Sequence, residues 1–331
     1  MFTADPPPHE IVWTLTNAVI ASRSLHVIAE LGVADQISDE PVGVEHLAAA
    51  CGADTDGLDR VLHLLMTFGI FESDAVGYRH TEASRLLVSD HPRSMRAFAR
   101  MMGLPAIRAT FDHLEHSVVT GSPAMEVVEA GGLWPYLRGH PREAEIFGQA
   151  MTAKAAADIA AVLGAYDFAR FDTIADIGGG RGHLLRAVLD AVPTAEGILF
   201  DLPHVIESLD LDLHRLSAQP GDFFVDPLPP ADAYVLMEVI HDWGDAEAVA
   251  ILRAVHRSAS PGARVLIIEN ILMGVEADPR GHTLDVIMLA FTGGRERTEE
   301  QLGSLLKEAG FATWIVTDTP GPLRILEAIA E

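Results

Sequence analysis

Cysteine is nearly absent from the chain, since Cys51 is its only one among 331 residues. A single cysteine cannot form an internal disulfide, and a cysteine-based metal cluster is excluded as well. No apolar run reaches the roughly 18–20 residues that cross a membrane. Residues 1–8 lack the basic and apolar stretches of a signal peptide. The sequence therefore predicts a cytoplasmic protein.

Basic residues are also scarce. Lysine and arginine number 23 against 48 acidic residues, which gives a formal net charge of −25 at pH 7. A surface this acidic repels phosphate backbones and anionic lipid, so it argues against nucleic-acid and membrane partners. Aromatic residues make up 6% of the chain, and this low content gives no indication of an aromatic stacking surface.

The length and the hydrophobic fraction of 49% are sufficient for two globular domains, each with its own core. Residues 1–110 are predicted to be largely helical, and residues 111–165 to form a helical connector. In residues 166–331 short apolar strands alternate with helices. We therefore place the region boundaries near residues 110 and 165.

The first region combines helices with a small hairpin. Residues 11–31 carry apolar side chains at helical spacing and stop at Gly32, and residues 44–51 and 56–68 follow as two further helices. Residues 69–80 would form a two-stranded wing. A winged helix binds DNA or serves as a packing or dimerisation module. The last of these helices offers only one arginine beside two aspartates, which favours the second role.

Alternation of strands and helices in the last region predicts an α/β fold with a doubly wound, mostly parallel sheet. Ligands of such sheets bind beyond the carboxyl ends of the strands. Helices are expected to begin near Gly182, Asp245 and Thr298, with Asp245 as an N-cap. The predicted strands are residues 173–177, 197–201, 233–240, 264–271, 312–317 and 323–328.

A glycine-rich turn follows the first of these strands. Residues 176–182 read Asp-Ile-Gly-Gly-Gly-Arg-Gly and lead into an apolar segment of helical period. Such a turn lets a ligand approach the backbone, and the helix start offers unpaired N–H groups. A dinucleotide turn would need a third glycine at His183, and no P-loop lysine is present. The turn predicts a nucleotide-like cofactor of another kind, and a turn without ligand is the alternative.

Two aspartates stand where the next strands end. Asp201 ends the strand 197–201, where a carboxylate can accept hydrogen bonds from both hydroxyls of a ribose. Asp222 follows the next strand-like segment, and its side chain or backbone would bind an adenine amino group, with Phe223 against the ring. Solvated loop or turn residues are the alternative for both aspartates.

Candidate reactive groups follow the later strands. His241 comes directly after the apolar segment 233–240, in a position where such sheets hold reactive groups. Glu269 interrupts a buried-looking strand, where a carboxylate is costly without a partner. Glu296 precedes a helix, and a solvated loop residue is the simple interpretation there. With Asp242, these groups could also form an oxygen-rich metal site, which EDTA-sensitive activity would reveal.

In these motifs the chain resembles the plant and bacterial small-molecule O-methyltransferases of class I, which use S-adenosyl-L-methionine (SAM). The resemblance extends over nearly the whole chain. It implies a Rossmann-like catalytic domain over residues 166–331 and an N-terminal domain that forms a homodimer. Besides residues 176–182, the matching segments are 200–203 (F-D-L-P), 221–224 (G-D-F-F), 241–243 (H-D-W), 285–289 (D-V-I-M-L) and 293–298 (G-G-R-E-R-T).

The resemblance implies a role for each matching position, and S-adenosyl-L-homocysteine as the product. His241 would be the general base, flanked by Glu269 and Glu296. The implied SAM-binding residues are Asp176, Gly178, Gly180, Gly182, Asp201, Asp222 and Phe223. The implied acceptor-pocket residues are Phe147, Met151, Asp242 and Met288.

One position departs from the pattern, because plant members often carry lysine near the cofactor where this chain has Met237. The resemblance predicts methyl transfer to a hydroxyl, of phenolic type, on a small aromatic or polyketide-like metabolite, without a metal. A relative that methylates carbon or nitrogen, or that uses SAM for other chemistry, is the main alternative. A winged-helix regulator that senses SAM is a further one, which the acidic charge opposes.

Overall fold

The computed structural model describes residues 6–209, 214–273 and 279–331, without the side chain of Ala157. The chain divides into two compact units, each made of two segments. One unit contains Met1–Arg108 and Arg142–Lys154, and the other contains Ala109–Pro141 and Ala155–Glu331.

The first unit consists of helices and one hairpin around a core that includes Ile28, Leu47 and Leu62. The predicted helices and the antiparallel hairpin are confirmed, including the stop at Gly32, which has a left-handed φ of 67°. Its elements are α1 (Pro8–Leu31), a 3-10 turn (Val33–Gln36), α2 (Val44–Cys51), α3 (Thr55–Met66), β1 (Glu72–Ser73), β2 (Tyr78–Arg79), α4 (Glu82–Arg85) and α5 (Arg96–Met101).

Helix α1 leaves much of its apolar surface exposed. Val12, Trp13, Leu15 and Val19 are each more than 60% exposed. By length and composition alone, α1 is long and apolar enough to cross a membrane, and little of it is buried. Polar residues interrupt the apolar residues of α1, so the helix does not stand out in the sequence as a continuous apolar run. An exposed apolar surface of this kind is also typical of a protein–protein contact.

The remaining helices and strands continue the chain order. Helices α6 and α10 run across the boundaries between the two units, and the others belong to the second unit. They are α6 (Pro105–Asp112), α7 (Leu114–Thr120), α8 (Met125–Val128), α9 (Leu133–Gly139), α10 (Pro141–Ala165), β3 (Thr173–Ile177), α11 (His183–Ala191), β4 (Glu196–Asp201), α12 (Pro203–Ile206), β5 (Leu216–Pro220), β6 (Ala233–Met237), α13 (Asp245–Ser258), β7 (Arg264–Glu269), β8 (Ile271–Leu272), α14 (Pro279–Phe291), β9 (Arg297–Thr298), α15 (Glu299–Ala309), β10 (Trp314–Asp318) and β11 (Arg324–Ile329). Short 3-10 turns lie at Phe168–Arg170 and Ile240–Asp242.

A seven-stranded sheet of order β10-β11-β7-β6-β3-β4-β5 forms the centre of the second unit. The five strands from β7 to β5 are parallel, and β11 pairs antiparallel with both β7 and β10, so the predicted, mostly parallel sheet is confirmed. Apolar cores cover both of its faces, which explains the continuous apolar strands. The chain order reverses between β3 and β6, and ligands of such sheets bind at this point.

Several predicted boundaries were wrong. The strand predicted to reach residue 240 ends at Met237, because Glu238 has a left-handed φ of 53° and Val239 is helical. The residues that follow are thereby free to form the 3-10 turn. Asp245 is the first residue of α13 rather than its N-cap, which is Gly244.

Candidate active site

The glycine-rich turn leaves the carboxyl end of β3. Gly178, Gly180 and Gly182 have φ values of 71°, 56° and 70°, a region that L side chains rarely adopt. A Cβ on Gly179 would lie 2.5 Å from the carboxylate of Asp176, so that position has no room for a side chain. A Cβ on Gly180 would meet nothing within 4 Å, and this open space lets a ligand approach the backbone.

Asp201, at the end of β4, is tied to this turn. Its Oδ2 accepts the N–H of Gly180 at 2.8 Å, and its Oδ1 accepts the N–H of Leu202 at 2.7 Å. Each carboxylate oxygen can accept a second hydrogen bond, so both remain capable of binding ribose hydroxyls. Burial raises the pKa of Asp201, and the two N–H groups oppose this shift.

Asp176 lies beneath the turn and is 2% exposed. Within the described residues its Oδ2 has no hydrogen-bond partner. Burial, together with the charge of Asp201, raises the pKa of Asp176 to about 7. A cationic ligand bound nearby would favour the ionised carboxylate and relieve this cost. The acceptors, the negative charge and the open backbone therefore fit SAM, which carries ribose hydroxyls and a positive sulfonium.

Asp222 and Phe223 follow β5, at the same edge of the sheet. Asp222 Oδ1 accepts the N–H of Phe224 at 2.9 Å, and the Asp222 N–H donates to Asp226 at 2.8 Å. The Phe223 ring lies 3.7 Å from where a Cβ of Gly178 would be. Asp222 thus orders its own turn, Phe223 borders the glycine turn, and contact with an adenine stays a prediction for both.

Four aromatic rings gather at Trp243, and one of them, Phe223, borders the glycine turn, although the composition gave no indication of such a surface. Phe223 and Phe224 meet the ring of Trp243 edge-on, with centroids 5.8 and 4.7 Å away. Trp134 of α9 stacks on Trp243 at 6.5 Å. Apolar faces of this kind suit a planar ring system. Residues distant in sequence supply the rings, so only the fold brings them together.

His241 lies in the 3-10 turn after β6 and is 4% exposed. Its Nδ1 is 2.7 Å from Glu296 Oε1, and its backbone N–H donates to Glu269 Oε1 at 2.9 Å. Its Nε2 lies 4.0 Å from Asp242 Oδ1. The structure thus brings together the histidine and the three acids that the sequence suggested.

The protonation of this cluster is coupled. Burial lowers the pKa of His241, but the hydrogen bond to Glu296 and the charges of Asp242, Glu269 and Glu296 outweigh it and raise the pKa to about 10. Burial raises the pKa of Glu269 to about 7, against the opposing charge of His241. The raised pKa of His241 is therefore close to the pKa of a phenol, which is about 10.

Glu296 is 3% exposed, so the interpretation as a solvated loop residue was wrong. Its backbone N–H donates to Asp285 Oδ1 of α14 at 3.0 Å, which fixes the main chain next to His241. Its second oxygen, Oε2, has no partner within the described part of the chain. A carboxylate oxygen left in this state remains available to an acceptor or a water molecule.

Arg297 was not among the site residues suggested by the sequence, yet it is 1% exposed and lies beside the His241 turn. Its guanidinium donates to the backbone oxygens of Ile240 at 3.2 Å and Trp243 at 2.8 Å, and to Asp245 Oδ1. A buried arginine is rare without full pairing. The sequence signal was its place in the 293–298 motif, but nothing in that motif indicates burial.

The suggested acceptor-pocket residues lie on different elements. Phe147 and Met151 lie half-buried on the part of α10 that belongs to the first unit. Met288 lies on α14 in the second unit and is 8% exposed. Their part in an acceptor pocket stays a prediction. Over the described ranges, histidine, cysteine and acidic residues form no group of three or more suited to a metal ion.

Comparison with known proteins identifies the family. The O-methyltransferase domain matches residues 111–312, and the O-methyltransferase dimerisation domain matches residues 13–90. The phenazine O-methyltransferase PhzM of Lysobacter antibioticus is 37% identical over 329 residues, which cover 97% of this chain and 96% of that enzyme. The 8-amino-8-demethylriboflavin N,N-dimethyltransferase of Streptomyces davaonensis is 36% identical over 300 residues, covering 87% and 85%.

A solved structure agrees with these sequence matches. The crystal structure of human N-acetylserotonin methyltransferase in complex with SAM superposes with a TM-score of 0.91 at 27% identity, and the match covers 99% of each chain. Both the glycine turn and the helical N-terminal part lie within the matched length. The chain belongs to the O-methyltransferase family and is a SAM-dependent methyltransferase.

Proposed function

We propose that the enzyme methylates a phenolic hydroxyl of a small aromatic or polyketide-like metabolite, with His241 as the general base. The observation that carries this proposal is the buried hydrogen bond between His241 Nδ1 and Glu296 Oε1. It lies after β6, and β6 is the parallel neighbour of β3, which leads into the glycine turn. A base and the suggested cofactor site are thus next to each other at one edge of the sheet.

SAM, when bound, supplies a methyl group that its sulfonium already activates. The chain must therefore bind the donor, orient the acceptor and remove one proton. Asp201 and the glycine turn bind the donor in this proposal, and the aromatic rings around Trp243 exclude water on their side. Holding two reactants in attack geometry is worth about 7–11 kcal/mol. A general base adds about 10²–10⁴-fold, so positioning contributes more than proton removal.

The proton would pass from the acceptor hydroxyl to Nε2 of His241. Glu296 accepts a hydrogen bond from the Nδ1–H, which leaves Nε2 as the free acceptor and stabilises the imidazolium that forms. The hydrogen bond between the His241 N–H and Glu269 fixes the backbone of the same residue. A bound sulfonium, being cationic, lowers the raised pKa of His241 and so increases the neutral fraction.

The acceptor class is testable with matched aromatic pairs that differ only in a hydroxyl or an amino group at one ring position. We expect the hydroxyl member to gain one methyl group by mass, with S-adenosyl-L-homocysteine formed in equal amount. Preference for the amino member would contradict the proposal. It would support N-methylation, the second candidate, which the similarity to an N,N-dimethyltransferase favours.

We also propose a homodimer formed through the N-terminal domain. The dimerisation match over residues 13–90 and the exposed apolar side chains of α1 support it. Light scattering on the purified enzyme should give twice the chain mass, and Trp13→Asp should shift the population towards monomer. A matched change at the exposed Val225, in the other unit, should leave the mass unchanged, and a monomeric wild type would contradict the proposal.

A further inference from the structure

Arg297 is buried in a way that uses its whole donor set. A guanidinium offers five N–H donors in a fixed plane. The Nε and Nη2 atoms approach Asp245 Oδ1 at 3.1 and 2.8 Å, Nη2 also approaches the Trp243 oxygen at 2.8 Å, and Nη1 approaches the Ile240 oxygen at 3.2 Å. Nη1 is also 3.5 Å from the oxygen of Arg295. These hydrogen bonds therefore offset the free-energy cost of burying the charge of Arg297.

The contacts of Arg297 bracket the catalytic turn. The oxygens of Ile240 and Trp243 lie on either side of His241 in the chain, and Asp245 begins α13 directly after the turn. A 3-10 turn of three residues has few backbone hydrogen bonds of its own with which to fix the direction of its central side chain. A rigid, planar donor that holds both flanking carbonyls supplies that constraint.

The residues before Arg297 reinforce the same contact. The Arg295 N–H donates to the His241 oxygen at 2.8 Å, and Glu296 accepts from the imidazole. A Cβ on Gly294 would lie 2.0 Å from the His241 oxygen, so the backbone approaches closely there. Residues 294–297 therefore bind both the main chain and the side chain of His241.

We propose that Arg297 is a positioning residue, whose guanidinium fixes the 240–243 turn so that the His241–Glu296 pair faces the acceptor. The inference rests on the proposed role of His241 as base. It assigns Arg297 no contact with SAM or acceptor. Arg297→Lys keeps the charge but replaces the planar, five-donor fork with a compact ammonium whose three donors do not match the arrangement of both carbonyls and Asp245.

Turnover should therefore fall in the Arg297→Lys variant by about 10–100-fold, the scale expected for a misplacement of catalytic groups of about 1 Å. The KM for the acceptor and the Kd for SAM should stay within about twofold of wild type, since the change acts on positioning alone. Arg253→Lys is the matched control, because Arg253 lies on α13, pairs with Glu308 at 3.3 Å and is far more exposed. It should leave all three constants unchanged.

A double-mutant comparison separates positioning from stability. In the His241→Ala background, Arg297→Lys should lower the remaining turnover by less than about twofold, because the group that it positions is gone. An equal loss in both backgrounds, or a lower melting temperature with wild-type turnover, would overturn the role of Arg297. Wild-type turnover in His241→Ala itself would instead overturn the base on which the inference rests.

A second variant covers the case in which Arg297→Lys does not fold. The side chain of Asp245 is 60% exposed, so Asp245→Asn should be tolerated by the fold. The change removes only the negative charge that faces Arg297 and leaves both carbonyl contacts in place. Turnover should fall by about 2–10-fold, again without a change in SAM affinity and again only when His241 is present. The same loss in the His241→Ala background would contradict the proposal.

Discussion

The proposed donor side and the proposed base side of the active site are built in different ways. The donor side is largely main chain, a glycine turn with positive φ values over residues that are adjacent in sequence. The base side is made of side chains, since His241 bonds to Glu269 and Glu296, which are 28 and 55 residues away. Local backbone geometry defines the first, and long-range packing assembles the second.

The two sides also treat polar groups differently. Gly180 has open space beside it, and Asp176 has an oxygen without a hydrogen-bond partner among the described residues, which suits a site that a ligand completes. Around His241, the main chain is bound by Arg295, Arg297 and Glu269 before any ligand arrives. In the proposed mechanism, a ligand would complete the donor side, whereas the base would be held in place before any ligand binds. Mutations on the donor side should therefore change the affinity for SAM, and mutations on the base side should change turnover.

The largest effect is expected at the base. His241→Ala should lower turnover by about 10²–10⁴-fold, because the proton acceptor is lost. The Kd for SAM, measured by calorimetry, should stay close to the wild-type value, since His241 belongs to the base side. Equal losses in turnover and in SAM affinity would show that His241 supports the fold rather than the chemistry, and would remove the separation between the two sides.

A smaller effect, on SAM affinity rather than on turnover, is expected on the donor side. Asp201→Asn should weaken SAM binding by about 10–100-fold, because hydrogen bonds to a charged carboxylate contribute about 1.5–3 kcal/mol. Turnover at saturating SAM should change little. Asp232→Asn is the control, since Asp232 also accepts a backbone N–H, from Thr173 at 2.9 Å, but at the other edge of the sheet. Wild-type affinity in Asp201→Asn would remove Asp201 from the site.

The smallest effect expected is a shift in pH dependence. His241 must be neutral to accept a proton, so activity rises with pH through its pKa, and the raised pKa places this limb above the usual histidine range. Glu296→Gln removes the hydrogen-bonded charge that raises this pKa, so the acid limb of kcat/KM should move to lower pH.

Glu308→Gln, a change at an exposed acid of α15, serves as the control for this shift and should leave the profile in place. Ionisation of the acceptor is the same in all variants, so their difference reports on the enzyme. An acid limb that does not move in Glu296→Gln would show that Glu296 has no influence on the base.

The fold was largely predictable because its signals are local. Helix stops such as Gly32, the parallel strands and the glycine turn all follow from short-range periodicity and backbone preference. The errors occurred where local preference was overridden. The segment 233–240 looks like one apolar strand, yet the left-handed Glu238 ends β6 early and allows His241 to turn into the site.

The arrangement of the candidate site could be predicted from the sequence in part. Asp201 and His241 stood out because they follow apolar strands, a position that the sequence itself displays. Glu296 and Arg297 have the composition of a solvated loop, and only packing against the His241 turn buries them. The aromatic rings of Trp134 and Trp243 belong to distant segments, so no composition or period could have paired them.

The sequence by itself determined the α/β class, the glycine turn and the histidine at a strand end, because backbone preferences and hydrophobic period act within a few residues. Tertiary structure alone decided that Glu296 is buried against that histidine rather than solvated, which arginine binds the 240–243 turn and which rings gather around Trp243. These contacts join residues far apart in the chain, and burial of charge makes them favourable only where the partners already lie close together.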